Sequence, residues 1–226
     1  MPNRKRIPTT TTERPHHRGN DRLLQIRREI AAEAARIMST QSQSSFLIAK
    51  QKAAQRLGID TPRALPSNVE VEDALRAYQG FYAGEQHLSN LRKMRRVALK
   101  VMRSLAQFSP RLVGPVLSGT ADRHARISLH VFNDPPDAVL MHLMNQGLRY
   151  RNEQRRIRWY DGGYRMVQLL LMVVDGLTVE LALFNSLDLR MAPPSPVDGR
   201  PQKRAPLAEV ESLLAGPGHL RESSAT

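Results

Sequence analysis

The sequence predicts an α+β fold, with helices first and then a mixed β-sheet that carries helices on one face. Three observations carry that expectation. Apolar residues recur at three- and four-residue steps from Asp21 to Phe108. After Ser109-Pro110 the period changes to the alternation of strands. Two-residue turn signals, Gly162-Gly163 and Asp175-Gly176, then join the last three alternating stretches.

Residues 1–20 hold Thr9 to Thr12, the His16-His17 pair and several basic residues, with nothing to bury a core, so they are expected to form a disordered basic arm. Residues 21–88 read as a helical region. Leu23, Ile26, Ile30, Ala34, Ile37 and Met38 mark its first helix from Asp21. A second helix, Phe46 to Leu57, stops at Gly58, with Lys50, Lys52 and Arg56 expected to face outward. These two helices have the small-residue look of a helix-turn-helix. The break "STQSQSS" is longer than that motif's turn, which favours an ordinary helical hairpin. A third helix, Val69 to Tyr82, follows an N-cap at Ser67 or Asn68 and ends at Gly84.

Residues 89–190 form the expected α/β core. Its first helix has an apolar stripe of Leu91, Met94, Val97, Ala98, Val101, Met102 and Leu105. Arg92, Lys93, Arg95, Arg96, Lys100 and Arg103 fill the remainder, with no acid between Leu91 and Phe108. Like charges stacked on one helix destabilise it, so a polyanion would be a favourable neighbour. Arg92, Arg96, Lys100 and Arg103 are the candidate nucleic-acid contacts; a solvated face is the alternative. Strands are expected at Leu112 to Leu117 and Ile127 to Phe132, around a Gly119-Thr120 turn. A helix capped by Asn133-Asp134-Pro135-Pro136 runs to Gln146. Arg155 to Tyr160, Tyr164 to Val174 and Leu177 to Phe184 complete the strands. Trp159 sits among arginines and tyrosines. That mixture suits stacking on single-stranded bases, but cross-strand aromatic pairing explains it better. Residues 191–226 read as a Pro-rich loop, a short helix from Leu207 to Leu214 and a flexible tail.

Composition narrows the function. The 226 residues carry a formal net charge of +13, which draws polyanions and makes nucleic acid the expected class of partner. No apolar run reaches the roughly 18 residues of a membrane span, so no membrane partner is expected. Cysteine is absent, which excludes disulfides, thiolate metal sites and cysteine nucleophiles. The basic N-terminus lacks an apolar segment behind it, and the chain is read as cytoplasmic. There is no Walker loop and no Gly-x-Gly-x-x-Gly, and "SGT" lacks the frame of a nucleophile elbow.

The stretch "LVGPVLSGTADRHARISLHVF", Leu112 to Phe132, together with the order of elements around it, resembles the nucleotidyltransferase superfamily with the polymerase-beta-like core, in a degenerate bacterial form. In that pattern a strand, a small Gly-containing turn and a second strand present two carboxylates one residue apart, and a later strand adds a third. Small turn residues let backbone amides approach a triphosphate. Alternate strand residues share a face, so three such acids hold two magnesium ions.

On this chain the turn falls at Gly119-Thr120, the paired carboxylate positions hold Arg126 and Ser128, and the third falls at Glu180. The resemblance implies that Gly119, Thr120, Arg126, Ser128 and His130 bind nucleotide or RNA phosphates without metal, with little or no transfer activity. No metal ligand is assigned, and RNA is favoured over DNA. Two alternatives stand beside it. One is a nucleic-acid-binding protein acting through its basic helices. The other is an active transferase in which Glu180 is catalytic and magnesium is held by unusual ligands.

Overall fold

The computed structural model describes residues 16–41, 43 and 45–215. The fold is α+β: helices precede a five-stranded mixed sheet, and further helices cover one face of it.

Three helices open the chain: α1 (His16–Gln41), α2 (Phe46–Arg56) and α3 (Asn68–Tyr78). Residues 1–15 of the expected basic arm lie outside the described residues, and α1 already begins inside the stretch assigned to that arm. Ile30, Ala34, Ile37 and Met38 of α1 bury against Ala49 and Ala53 of α2 and Val71 and Leu75 of α3. The alanines let the backbones approach closely. Ser45 caps α2 by accepting from the Ile48 amide, and Ser67 and Glu70 close a reciprocal capping box on α3. Lys52 and Arg56 are exposed as expected, whereas Lys50 is half-buried. Lys50 Nζ donates to Pro66 O and Asn68 Oδ1, tying α2 to the start of α3, and Arg56 pairs with Glu33 of α1.

Gly84 does not end the third helix at an open loop. A π-turn, Gln79–Ala83, carries the chain directly into α4 (Gly84–Ser104). The sheet has the order β1-β2-β5-β4-β3, with β1 (Arg111–Val113), β2 (Ile127–Phe132), β3 (Arg151–Arg158), β4 (Tyr164–Val174) and β5 (Leu177–Phe184). β2 and β5 run parallel, and every other neighbouring pair is antiparallel. Between β1 and β2 lies α5 (Pro115–Ser118); α6 (Ala138–Asn145) follows β2, and α7 (Leu207–Ala215) closes the described chain.

Strand alternation divides the sheet into two faces. Ile127, Leu129 and Val131 of β2, with Val179, Leu181 and Leu183 of β5, bury against α4, α6 and α7. The opposite face carries Ser128, His130 and Phe132 beside Glu180, Ala182 and Phe184. A smaller cluster of Phe132, Trp159, Val167, Leu169, Ala182 and Phe184 fills its far end. The Pro-rich segment crosses that face and then rejoins the sheet, where Ala205 exchanges both backbone hydrogen bonds with Leu112.

The strand expected at Leu112 to Leu117 is a correction. Only Arg111–Val113 is extended, and Pro115–Ser118 turns as a helix. Gly114 at φ 71° bends the chain out of the strand, and Pro115, which has no amide to lose, takes the first helical position. Gly119 at φ 88° then ends the turn in the left-handed region that favours glycine.

Candidate functional site

A cavity of about 1050 Å³ opens between the N-terminal helices and the polar face of the sheet. Leu75, Arg76 and Gln79 form one side; Ser118, Thr120, Asp122 and the chain through Ser128 form another. Arg155 and Glu180 make its floor, and the loop carrying Gln202 and Lys203 closes the remaining side.

Glu180 is the centre of the floor. It lies beside Ser128 in the parallel β2–β5 register and is only 5% exposed. Two guanidinium groups hold it. Arg155 reaches across β4 and donates from Nη1 to Oε1 at 2.9 Å and from Nη2 to Oε2 at 2.7 Å. Arg126, immediately before β2, donates from Nη1 to Oε2 at 3.1 Å. Both arginine side chains remain nearly half exposed, so their outer edges face the cavity. Burying a carboxylate needs charge-assisted partners of this kind, and a fork of Arg against both oxygens is the strongest form of them.

The other charged groups of the wall are largely engaged. Arg76 bonds Glu72 and Asp73, and Lys203 pairs with Glu209. Asp122 Oδ1 accepts the His124 amide. Arg126, in contrast, makes one hydrogen bond among the described residues and keeps further N–H groups directed at the solvent-filled space.

Three residues expected at the site play other parts. The amides of Gly119 and Thr120 both donate to Pro115 O, closing the α5 turn, so they cannot cradle a phosphate. Their carbonyls are held as well. His87 Nε2 donates to Gly119 O, and Gln79 Nε2 donates to Thr120 O. The Thr120 hydroxyl shares a hydrogen bond with the Ser118 hydroxyl, and both residues line the cavity. His130 lies farther along β2, outside the cavity wall, against the Phe184 ring at 4.6 Å between centroids. Its Nδ1 accepts from Arg204 Nε at 3.1 Å. Burial, with the nearby Arg204 guanidinium, pushes its imidazole down to about 3, so it is neutral and structural.

The basic helix is likewise redistributed. Arg95 turns inward and donates to Val116 O and Leu117 O, capping the carbonyls of α5. Lys100 pairs with Asp175 of the β4–β5 turn, and Arg103 pairs with Glu211 of α7. Arg92 and Arg96 are exposed. For Lys100 and Arg103 the acids missing from the local sequence are supplied by the fold. Trp159 is 1% exposed beneath the Arg165 guanidinium, so it is core and offers no stacking platform.

Magnesium does not fit this site. A two-metal arrangement needs carboxylate oxygens to spare, and both oxygens of Glu180 are taken by guanidinium groups. Among the described residues no three His, Cys, Asp or Glu side chains come together to hold a metal. No protein-family model, no curated protein and no solved structure matches this chain. No helix among the described residues is long and apolar enough to cross a membrane.

Sequence reasoning missed Arg155 as the partner of Glu180, and it missed Gln79 altogether. The hairpin turn at Gly162-Gly163 held the signal for Arg155, because it returns β3 to the side of β4 remote from β5. Nothing in "AYQGFYAG" marks Gln79.

Proposed function

We propose that the cavity binds the phosphate groups of a nucleotide or of RNA without a metal ion, on a nucleotidyltransferase-like scaffold with little or no transfer activity. One observation carries the reading: the cluster of Arg126, Glu180 and Arg155 puts guanidinium groups where a phosphoryl-transfer site would need metals. Arg126 holds its charge in the wall and keeps N–H donors to offer, and Arg recognises phosphate oxygens in pairs. At about 1050 Å³ the cavity lies just above the roughly 300–1,000 Å³ range of small-molecule sites, which leaves room for a nucleotide. With the Gly119 and Thr120 amides committed to Pro115 O, the turn offers the hydroxyls of Ser118 and Thr120 rather than an amide cradle.

Calorimetric titration of tripolyphosphate and ATP in the presence of a chelator tests this. Binding is expected without magnesium. Arg126→Ala should weaken it about 10- to 100-fold, the loss of a charge-assisted contact of roughly 1.5–3 kcal/mol. If neither ligand binds with or without magnesium, the reading is wrong.

A further inference from the structure

The two edges of the sheet are finished differently. β1 at one edge is three residues long, and Ala205 covers it by exchanging both backbone hydrogen bonds with Leu112. β3 at the other edge pairs with β4 one to one from Arg151 to Arg158, with no bulge and no proline. Its backbone groups that point away from β4 form an unbroken row with no hydrogen-bond partner among the described residues. Six of its eight residues are exposed. A long, regular, open edge of this kind is a template for one more strand. Charge narrows what that strand can be. β3 carries four arginines against one acid, Glu153. Arg151 pairs with Glu153 and Arg155 with Glu180, whereas Arg156 and Arg158 are exposed and have no acidic partner among the described residues. Those two share one face of the strand, opposite Met166 and Tyr164. A second copy of the chain would set two such strands against each other, and like charges across a strand pair destabilise it. Single-stranded nucleic acid needs an open aromatic face, but the Arg156 guanidinium lies over the Tyr164 ring at 4.1 Å and Trp159 is buried. At the other end, β4 runs on past the start of β3, and Leu148, Tyr150, Leu171, Met172 and Val173 line a cleft of about 380 Å³. Leu148 and Val173 expose apolar surface there.

We propose that the free edge of β3 accepts an extended acidic segment of a partner protein as an added strand. Main-chain hydrogen bonds to β3 supply the affinity, and acidic side chains on one face of the segment answer Arg156 and Arg158. An apolar side chain of the segment enters the cleft beside Leu148 and Val173. The arginines act in two ways: they oppose pairing between copies of this chain, and they select an acidic partner. This docking makes no use of the cavity and is independent of phosphate binding there.

The test is fluorescence anisotropy of the full chain with a labelled synthetic peptide. The peptide has about twelve residues, long enough to span β3 when extended, alternating Glu with Thr and carrying two leucines at either end. The wild type should bind it. N-methylating alternate residues removes the donors along one edge of the peptide. In one of the two phases this should weaken binding about tenfold, and in the other much less. Arg156→Glu combined with Arg158→Glu should weaken the acidic peptide about tenfold and bind its Lys-for-Glu counterpart instead. The proposal is overturned if the wild type does not bind the peptide. It is overturned equally if both N-methylated phases bind as tightly as the parent, because charge alone would then explain the contact. These wild-type arms stand even where the double variant fails to fold. Another occupant also overturns it: a concentration-dependent dimer, or binding of an oligouridine, that the double variant abolishes while the acidic peptide binds neither protein.

Discussion

At the scale of residues, the chemistry turns on what surrounds Glu180. An acid on a central strand, 5% exposed, beside a cavity, suggests a metal ligand or a general base until its partners are named. Arg155 takes both of its oxygens and Arg126 shares one of them. This arrangement neutralises the carboxylate and leaves positive charge in excess at the cavity surface. The sequence made part of this legible. Alternation along "RISLHV" and "LTVELALF" assigned Ser128 and Glu180 each to one face of its strand, and parallel pairing of the two strands makes them neighbours. It could not supply Arg155, because that contact spans a third strand and depends on the long side chain reaching across β4. His130 was placed on the correct face of its strand, but its position along the strand puts it under Arg204 instead of beside Arg126. A face is readable from period two, whereas depth along it is not.

At the scale of elements, the segment between β1 and β2 decides what the site can offer. Its apolar spacing, "LVGPVL", suits a strand as well as a helical turn, because short apolar runs carry no distinguishing period. Pro115 and the two positive-φ glycines resolve it in favour of the turn. The turn is then pinned from outside by Arg95, His87 and Gln79, all of which donate to carbonyls between Val116 and Thr120. Burial lowers the pKa of the Arg95 guanidinium below its ordinary value. Arg95→Met keeps much of the packing but leaves two carbonyls without their donor. It should cost about 1–3 kcal/mol in denaturant unfolding and weaken ligand binding through the displaced turn. A variant as stable as the wild type would show that the turn holds without Arg95.

At the scale of the molecule, the net charge of +13 is answered only in part on the basic helix, where Arg92, Lys93 and Arg96 stay exposed. Lys100 and Arg103 find acids on the β4–β5 turn and on α7, and Arg95 is spent internally. Composition gives total charge; topology decides where it is answered. Acid should destabilise the two halves in different ranges. His130 has a folded value of about 3 against an ordinary 6.5. The unfolded chain therefore takes up its proton first, and the sheet core loses stability as pH falls from 6.5 towards 3. Glu33, held down to about 2 chiefly by Arg36, and Glu70, where burial pushes up but Arg27 and Ser67 together hold it down to about 2, support the helical half above pH 4.5. That support fades as pH falls from 4.5 towards 2. His130→Gln retains an acceptor for Arg204 and should flatten the upper range while leaving the lower one; an unchanged upper range would assign the loss to another group.

The central claim is that Glu180 balances arginines and does not hold metal, and titrating tripolyphosphate into Glu180→Gln in chelator tests it most directly. Removing the carboxylate's charge leaves Arg126 and Arg155 unneutralised beside the cavity, so affinity should rise about fivefold to tenfold over the wild type. A loss of binding in Glu180→Gln, or binding by the wild type that appears only when magnesium is added, would contradict the account.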